Sequence, residues 1–307
     1  MGFFDLSGTL GRQFGSIGIA LSEINTRLNI RISDSLDITG PSAQRAQLCL
    51  QQFCDTLGLS DNLKVCIESA IPEHVGLGSG TQMSLAIGAA LNALYDLKLS
   101  VRELAAVTER GQRSGIGIGT FEQGGLVVDG GRGEKTITPP LLVRMDVPAD
   151  WQFILVFDRR GQGLHGTQEI QAFSDLPPFP ALEAARLCHL LLMRGLPAIV
   201  EQDLANFGDV ISELQSAVGN HFAPAQGGVF TSAEVGLAMQ WLAKQGAVAI
   251  GQTSWGPTGF CAVEGIERSK QLFDRLKRQF CKFEQLDFVM TGARNSGATV
   301  LVDQSSV

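Results

Sequence analysis

The 307-residue chain has little of what marks a metal, disulfide or membrane protein. Its six cysteines (Cys49, Cys54, Cys66, Cys188, Cys261, Cys281) include no CxxC pair, and its four histidines show no HxxxH or HExxH spacing. A structural zinc site or disulfide framework is therefore not expected, and the thiols are read as reduced. No apolar run approaches the roughly eighteen residues that cross a bilayer. The start, MGFFDLSGTLGRQFG, is too rich in glycine for a signal peptide, and Leu6 breaks the myristoylation pattern. Basic charge is scarce too: 24 Lys and Arg against 31 Asp and Glu leave a net charge of −7. That argues against a general nucleic-acid binder and leaves anionic small substrates open. A soluble cytoplasmic protein without nucleic-acid or membrane partners is the expectation. The length and the 44% hydrophobic content suffice for a large core in one or two domains.

Periodicity then places the elements. Residues 17–32 alternate apolar and polar and read as two paired strands turning at 23–26. From Ser42 the spacing turns helical, with Ala43, Ala46, Leu50, Phe53 and Leu57 on one face and Gly58 as the stop. Residues 65–71 read as a strand ended by Pro72, and a helix is expected over 81–97. Ser100 and Glu103 form a capping box for the next helix. The glycine-dense segment from Gly111 to Gly133 reads as tight turns and close backbone approaches. A domain boundary is expected near Pro148, dividing 1–148 from 149–307. Beyond it, 151–157 suits a buried strand. Helices are expected at 180–194, 231–245 (capped by Thr231 and Glu234) and 267–280, with strands at 247–250, 260–263, 287–290 and 298–302. Mixed strands and helices in layers indicate an α+β sandwich.

Three glycine-rich segments carry the candidate chemistry. In PEHVGLGSGTQ, residues 72–82, a strand, a turn and a helix start bring free N–H groups and the positive helix end to one point, which suits a phosphate. Gly76, Leu77, Gly78, Ser79, Gly80, Thr81 and Gln82 are the phosphate or pyrophosphate candidates. No GxxxxGK[ST] is present, so this is not a Walker loop, and a turn that only packs a helix on a sheet is the bland alternative. In RGQRSGIGIGTFEQGG, residues 110–125, Arg110 and Ser114 join the phosphate candidates. Arg113 and Glu122, with Asp129, form the candidate catalytic set. Asp129 is read either as a metal-binding carboxylate or as a strand-end turn residue. In GQTSWGPTG, residues 251–259, Thr253, Ser254, Trp255 and Thr258 suit an aromatic ring beside an anion, or else Trp255 only anchors a loop. His165, in a glycine-rich stretch, joins this ring-binding set. Asp129 apart, the sequence names no metal ligand.

PEHVGLGSGTQ with its alanine-rich helix resembles the second motif of the GHMP kinase superfamily. More narrowly, RSGIGIGTFEQGGLVVDGG (113–131), HFAPAQGGVF (221–230) and GQTSWGPTGFCAV (251–263) make the chain similar to the β-ribofuranosylaminobenzene 5′-phosphate synthase family, a non-kinase branch. The resemblance implies a two-domain GHMP-kinase-like α/β sandwich with mixed and antiparallel sheets. It implies transfer from phosphoribosyl pyrophosphate to 4-aminobenzoate or 4-hydroxybenzoate with loss of carbon dioxide and pyrophosphate, in methanopterin biosynthesis. A magnesium ion, no ATP requirement and a homodimer are expected with it. Members of this branch normally begin with an additional strand and an Arg/His-containing stretch before a segment like GFFDLSGTLGRQFGSIG; against that pattern, either the start here is placed late or the first strand is missing. The usual phosphoribosyltransferase signature, paired Asp residues before a Thr-Gly loop, is absent, so the chemistry needs another scaffold. An ATP-dependent GHMP-type small-molecule kinase is the alternative, disfavoured by GQTSWGPT where the kinases carry a third motif of other composition.

Overall fold

A computed structural model describes residues 1–161, 171, 175–254 and 256–303. The first sheet is antiparallel, in the order β1 (Gly2–Asp5), β3 (Gly15–Ile19), β7 (Leu126–Asp129), β9 (Leu141–Met145). A short ladder joins β2 (Arg12–Gln13) to β8 (Arg132–Gly133). The second sheet is mixed: β6 (Leu63–Ser69) runs antiparallel to β4 (Arg27–Ile32) and parallel to β5 (Asp37–Thr39). A third, antiparallel sheet has the order β11 (Val248–Gln252), β12 (Thr258–Glu264), β10 (Trp151–Asp158), β13 (Leu286–Gly292). Helices α1 (Ala43–Leu57), α2 (Ser79–Leu94), α3 (Val101–Val107) and α4 (Ile116–Gln123) belong to the first half. The second half holds α5 (Ala181–Leu190), a π-helical turn (Leu191–Gly195), α6 (Leu196–Val200), α7 (Leu204–Gln226), α8 (Ala233–Lys244) and α9 (Ile266–Gln279). The fold is α+β with mixed and antiparallel sheets.

The unbroken apolar run of β10 follows from burial on both faces. Trp151, Phe153, Leu155 and Phe157 join one core with α5, α6 and α7, while Ile154 and Val156 join another with α8 and α9. A strand alternating between two cores needs no polar residue. The first of these cores also takes Phe3, Ile17, Leu126 and Val128 from the first sheet, so it runs across position 148. A separate core gathers α1, α2 and β6 around Phe53, Leu85 and Val65.

Several sequence expectations change. The two strands within 17–32 do not pair: β3 is buried between β1 and β7, whereas β4 lies half-exposed on β6. Glycine selects the site of β3, because a Cβ on Gly18 would lie 2.3 Å from Cγ2 of Ile116. The segment after Gly111, read as turns, contains α4, whose glycines allow close packing. Residues 298–302, expected as a strand, are exposed and carry no ladder. Elsewhere the local rules hold: Gly58 ends α1 at φ +65°, and Ser100 and Glu103 make both bonds of the capping box. Ser232, not Thr231, caps α8 by accepting from Val235 N at 3.2 Å.

Candidate active site

Helix α2 begins inside the quoted phosphate segment. Gly76 and Gly78 take positive φ, +73° and +70°, a conformation that disfavours any side chain, and Gly78 caps the helix without a side-chain oxygen. The first N–H groups of α2 therefore have no intrahelical acceptor, and its positive end faces the loop. Two arginines stand over this turn. A Cβ on Gly80 would lie 3.3 Å from Nη1 of Arg110 and 3.4 Å from Nη1 of Arg45. Arg45 donates to Ser79 Oγ at 3.2 Å, and its Nη2 lies 2.8 Å from Glu73 Oε2. The Nε of Arg110 is buried and has no hydrogen-bond partner among the described residues. Burial pushes the Cys49 thiol up while Arg110 and Arg45 pull it down, which puts that thiol beside both guanidinium groups. Two guanidinium groups, one carboxylate and a helix N-terminus leave an excess of positive potential suited to a phosphate or pyrophosphate.

Arg45 was not legible as a site residue because it sits in a regular helix. One signal was available: it occupies the first turn of α1, where the dipole opposes a cation and no acidic residue compensates. Leu77 packs on the core. Gln82 Nε2 donates to Gly117 O at 2.7 Å, and a Cβ on Gly117 would meet Thr81 Cγ2 at 3.0 Å. Thus Thr81 and Gln82 tie α2 to α4.

The 251–259 segment folds directly onto this loop. Thr253 Oγ1 donates to Val75 O at 2.8 Å. A Cβ on Gly76 would fall 2.4 Å from that same Oγ1, and one on Gly256 would fall 2.4 Å from Val75 O. Two glycines let the backbones meet, so a group held by α2 lies next to Thr253 and Ser254. Thr258 is fully buried at the start of β12, its Oγ1 without a partner among the described residues, and its carbonyl accepts from Thr253 N at 2.9 Å. Trp255 and His165 lie outside the described residues.

Asp129 and Ser114 meet at the start of α4, the helix that packs on α2. Asp129 is 1% exposed and accepts from Gly115 N at 2.9 Å, Gly131 N at 2.8 Å, Ser114 Oγ at 3.2 Å and Ser16 Oγ at 2.5 Å. Burial raises its carboxyl above the usual range, and these four donors pull it back. These bonds let it fix the start of α4 and the turn after β7, at a carboxylate for which the sequence expectation was a catalytic or metal-binding role or a strand-end turn. Glu122 is exposed at the last turn of α4, 3.8 Å from Arg102 of α3. Arg113 is half-buried between α3 and α4. No three His, Cys, Asp or Glu residues stand together to hold a metal ion among the described residues. The described residues form no all-protein cage for magnesium, an ion that substrate phosphates usually hold together with one or two carboxylates.

The sheet order and the glycine turn at a helix start define a class. Residues 44–125 match the family described as GHMP kinases N terminal domain. The galactokinase of Lactococcus lactis, solved with galactose, shares the fold at a TM-score of 0.68 and 12% identity, covering 98% of this chain and 93% of that one. At that identity the likeness speaks for the fold alone. Sequence similarity goes further. The beta-ribofuranosylphenol 5′-phosphate synthase of Archaeoglobus fulgidus is 33% identical over 316 residues, covering 97% of this chain and 95% of the relative. That of Methanocaldococcus jannaschii is 35% identical over 245 residues, covering 70% and 74%. The chain belongs to the beta-ribofuranosylphenol 5′-phosphate synthase family, within the GHMP superfamily, and is an enzyme. No helix among the described residues is long and apolar enough to cross a membrane.

Proposed function

We propose that this enzyme joins phosphoribosyl pyrophosphate to 4-hydroxybenzoate or 4-aminobenzoate, releasing carbon dioxide and pyrophosphate and forming a carbon-linked riboside for methanopterin-type biosynthesis. The observation that carries this reading is the contact between the two loops: a site for a polyanion, with Arg45 and Arg110 over the start of α2, is built against Thr253 and Ser254. Phosphoryl groups bind at the N–H groups of α2 and the two guanidinium groups, which favour the charge that grows on departing pyrophosphate. The bond from the anomeric carbon to pyrophosphate oxygen breaks, its electron pair leaving with pyrophosphate. The ring carbon that bears the carboxylate attacks the anomeric carbon, pushed by the para hydroxyl or amino group. The bond to the carboxylate then breaks, its electron pair restores the aromatic ring, and carbon dioxide leaves. No base is needed to remove a ring proton, which accords with a buried carboxylate, Asp129, that is held by four donors.

The relatives are named for a ribofuranosylphenol, which supports a hydroxyl-bearing ring as acceptor. A homodimer and a cytoplasmic location belong to the same reading as expectations. The test is calorimetric binding of phosphoribosyl pyrophosphate and of ATP, followed by assay of carbon dioxide and pyrophosphate with each benzoate. Binding of phosphoribosyl pyrophosphate and one carbon dioxide per pyrophosphate are expected. ATP binding without phosphoribosyl pyrophosphate binding would instead establish a kinase.

A further inference from the structure

A second cleft opens beside the phosphate loop, on the other side of Thr253. One wall is a single stripe of α7: Gln215, Val218, Gly219, Phe222 and Gln226, spaced so that all face the same way. Gly2, Phe3 and Val229 complete the apolar lining, and Gln252, Thr253 and Ser254 the polar part. Thr253 is shared between the two sites, because its hydroxyl bonds Val75 O and fills the space beside Gly76. A flat α7 surface matters here: a Cβ on Gly219 would lie 2.9 Å from Cγ1 of Val229 and narrow the slot.

The cleft is polar without being charged. None of its described lining residues ionises; its polarity comes mainly from three side-chain amides held in a chain. Gln215 Oε1 accepts from Gln252 N at 2.7 Å. Gln252 Oε1 accepts twice, from Thr231 N at 2.7 Å and Thr231 Oγ1 at 2.8 Å. Gln226 Nε2 donates to Gly228 O at 2.9 Å and Val229 O at 3.1 Å, so both its protons are committed to backbone. Its Oε1 accepts only a long 3.4 Å contact from Gln252 and keeps acceptor capacity. The partner that matches is a hydrogen-bond donor on an uncharged group. A carboxylate turned into this cleft would lose its water and meet no cation. Turned the other way, it meets Thr253, whose hydroxyl lies against Gly76 of the phosphate loop.

We propose that this cleft, about 30 Å³ in volume, takes the uncharged tip of the aromatic acid: the para hydroxyl or amino group enters it and donates to Gln226 Oε1, the ring lies outside it beside Thr253 and Ser254, and the carboxylate faces Gly76. The placement rests on the phosphoribosyl-transfer reading and agrees with its chemistry, since the ring carbon bearing the carboxylate must reach the anomeric carbon at the phosphate loop. Acceptor choice is then set by a donor-accepting amide, which admits a phenol or an aniline and discriminates against an unsubstituted ring.

The test uses the full chain and three probes, 4-hydroxybenzoate, 4-aminobenzoate and benzoate, with phosphoribosyl pyrophosphate affinity measured in parallel. Wild type is expected to bind the two para-substituted acids about tenfold tighter than benzoate, the scale of one net hydrogen bond. Gln226→Leu should erase that preference, and Val229→Trp should exclude the two para-substituted acids; both should keep phosphoribosyl pyrophosphate affinity. If one variant loses that affinity as well, the other decides. Retention of the preference in Gln226→Leu, or of para-substituted acid binding in Val229→Trp, overturns the placement. If wild type releases carbon dioxide and both variants keep its KM for the acid, the cleft is refuted and the reaction stands. A wild type that binds none of the three acids refutes both.

Discussion

Residues 76–82 and residues 111–133 are both dense in glycine, yet the first offers backbone to a ligand and the second lets side chains and helices close up on one another. Gly78 takes φ +70° with nothing within 4 Å of where a Cβ would be, so it serves the chain direction at an open loop. Gly117 and Gly119 lie in ordinary helical backbone, and what excludes a side chain there is Thr81 at 3.0 Å and Val127 Cγ1 at 2.8 Å. The two stretches also differ in charge. Arg45 and Arg110 leave the first with a positive excess, whereas Asp129 in the second is surrounded by neutral donors. Glycine density alone therefore marks neither a binding loop nor a packing seam; φ and the neighbour of the missing Cβ separate Gly78 from Gly117 and Gly119.

The contrast breaks most visibly at Gly76. Gly76→Ala puts a methyl group 2.4 Å from Thr253 Oγ1 at a positive φ, so the 251–259 segment must move off the phosphate loop. The strain itself costs on the order of 1–3 kcal/mol. A loss of at least about a hundredfold in kcat/KM is expected, because misplacing reacting groups by about an ångström already costs that much. Steady-state kinetics with a thermal melt check both numbers. Asp129→Ala should act in the opposite way. It strips acceptors from two buried N–H groups and two hydroxyls, at a cost on the order of 3 kcal/mol, and should lower Tm before it touches chemistry. A variant with unchanged Tm and a thousandfold lower kcat would make Asp129 a catalytic residue after all.

What the sequence made legible follows the same division. Helix α1 and the double-faced strand β10 were readable because apolar spacing alone specifies them. Helix α7 was not anticipated, although Leu204, Phe207, Ile211, Leu214, Val218 and Phe222 repeat at helical spacing. Gly208, Gly219 and Pro224 interrupt the pattern as breakers would. Gly208 is there for packing: its Cβ would lie 2.4 Å from Val248 Cβ, so the glycine lets α7 lie close on β11. Helix α4 was missed for the same reason. At the site, the two loops were visible as motifs, but their contact through Thr253 and the approach of Arg45 depend on tertiary placement that spacing within one segment does not encode.

Arg45 sharpens the charged side of the comparison. Arg45→Ala removes one of two guanidinium groups and leaves Glu73 facing the loop without its partner. The dissociation constant for phosphoribosyl pyrophosphate should rise roughly tenfold or more, as expected for a lost charge-assisted hydrogen bond, with the affinity for the benzoates unchanged. Calorimetry on the variant measures both, and equal weakening of acid and phosphoribosyl pyrophosphate would show that Arg45 shapes the whole site instead.

A smaller effect lies beyond both stretches, at the end of β10. Arg160 and Ser232 hold the Asp158 carboxyl down to about 2 from 3.8, the hydrogen bonds from Arg160 leading. A depressed carboxyl stabilises the fold above its unfolded value, and that stability is lost as pH falls from about 3.8 through about 2. Melts taken across that window should steepen in wild type and flatten in Asp158→Asn, since the amide does not titrate.

Glu122 is the mildest case and the closest check on the reading of the glycine-dense segment. It shares α4 with the glycines that pack against α2, but its carboxylate is exposed and stands 3.8 Å from Arg102, a separation at which an exposed ion pair contributes at most about 1 kcal/mol. Glu122→Ala should leave kcat/KM within about twofold and stability within roughly 0.5 kcal/mol, the usual range for a surface substitution. If kcat instead fell a hundredfold at unchanged Tm, α4 would contribute a reacting group as well as a packing face, and the line drawn between the two glycine-rich stretches would have to move past Gly119.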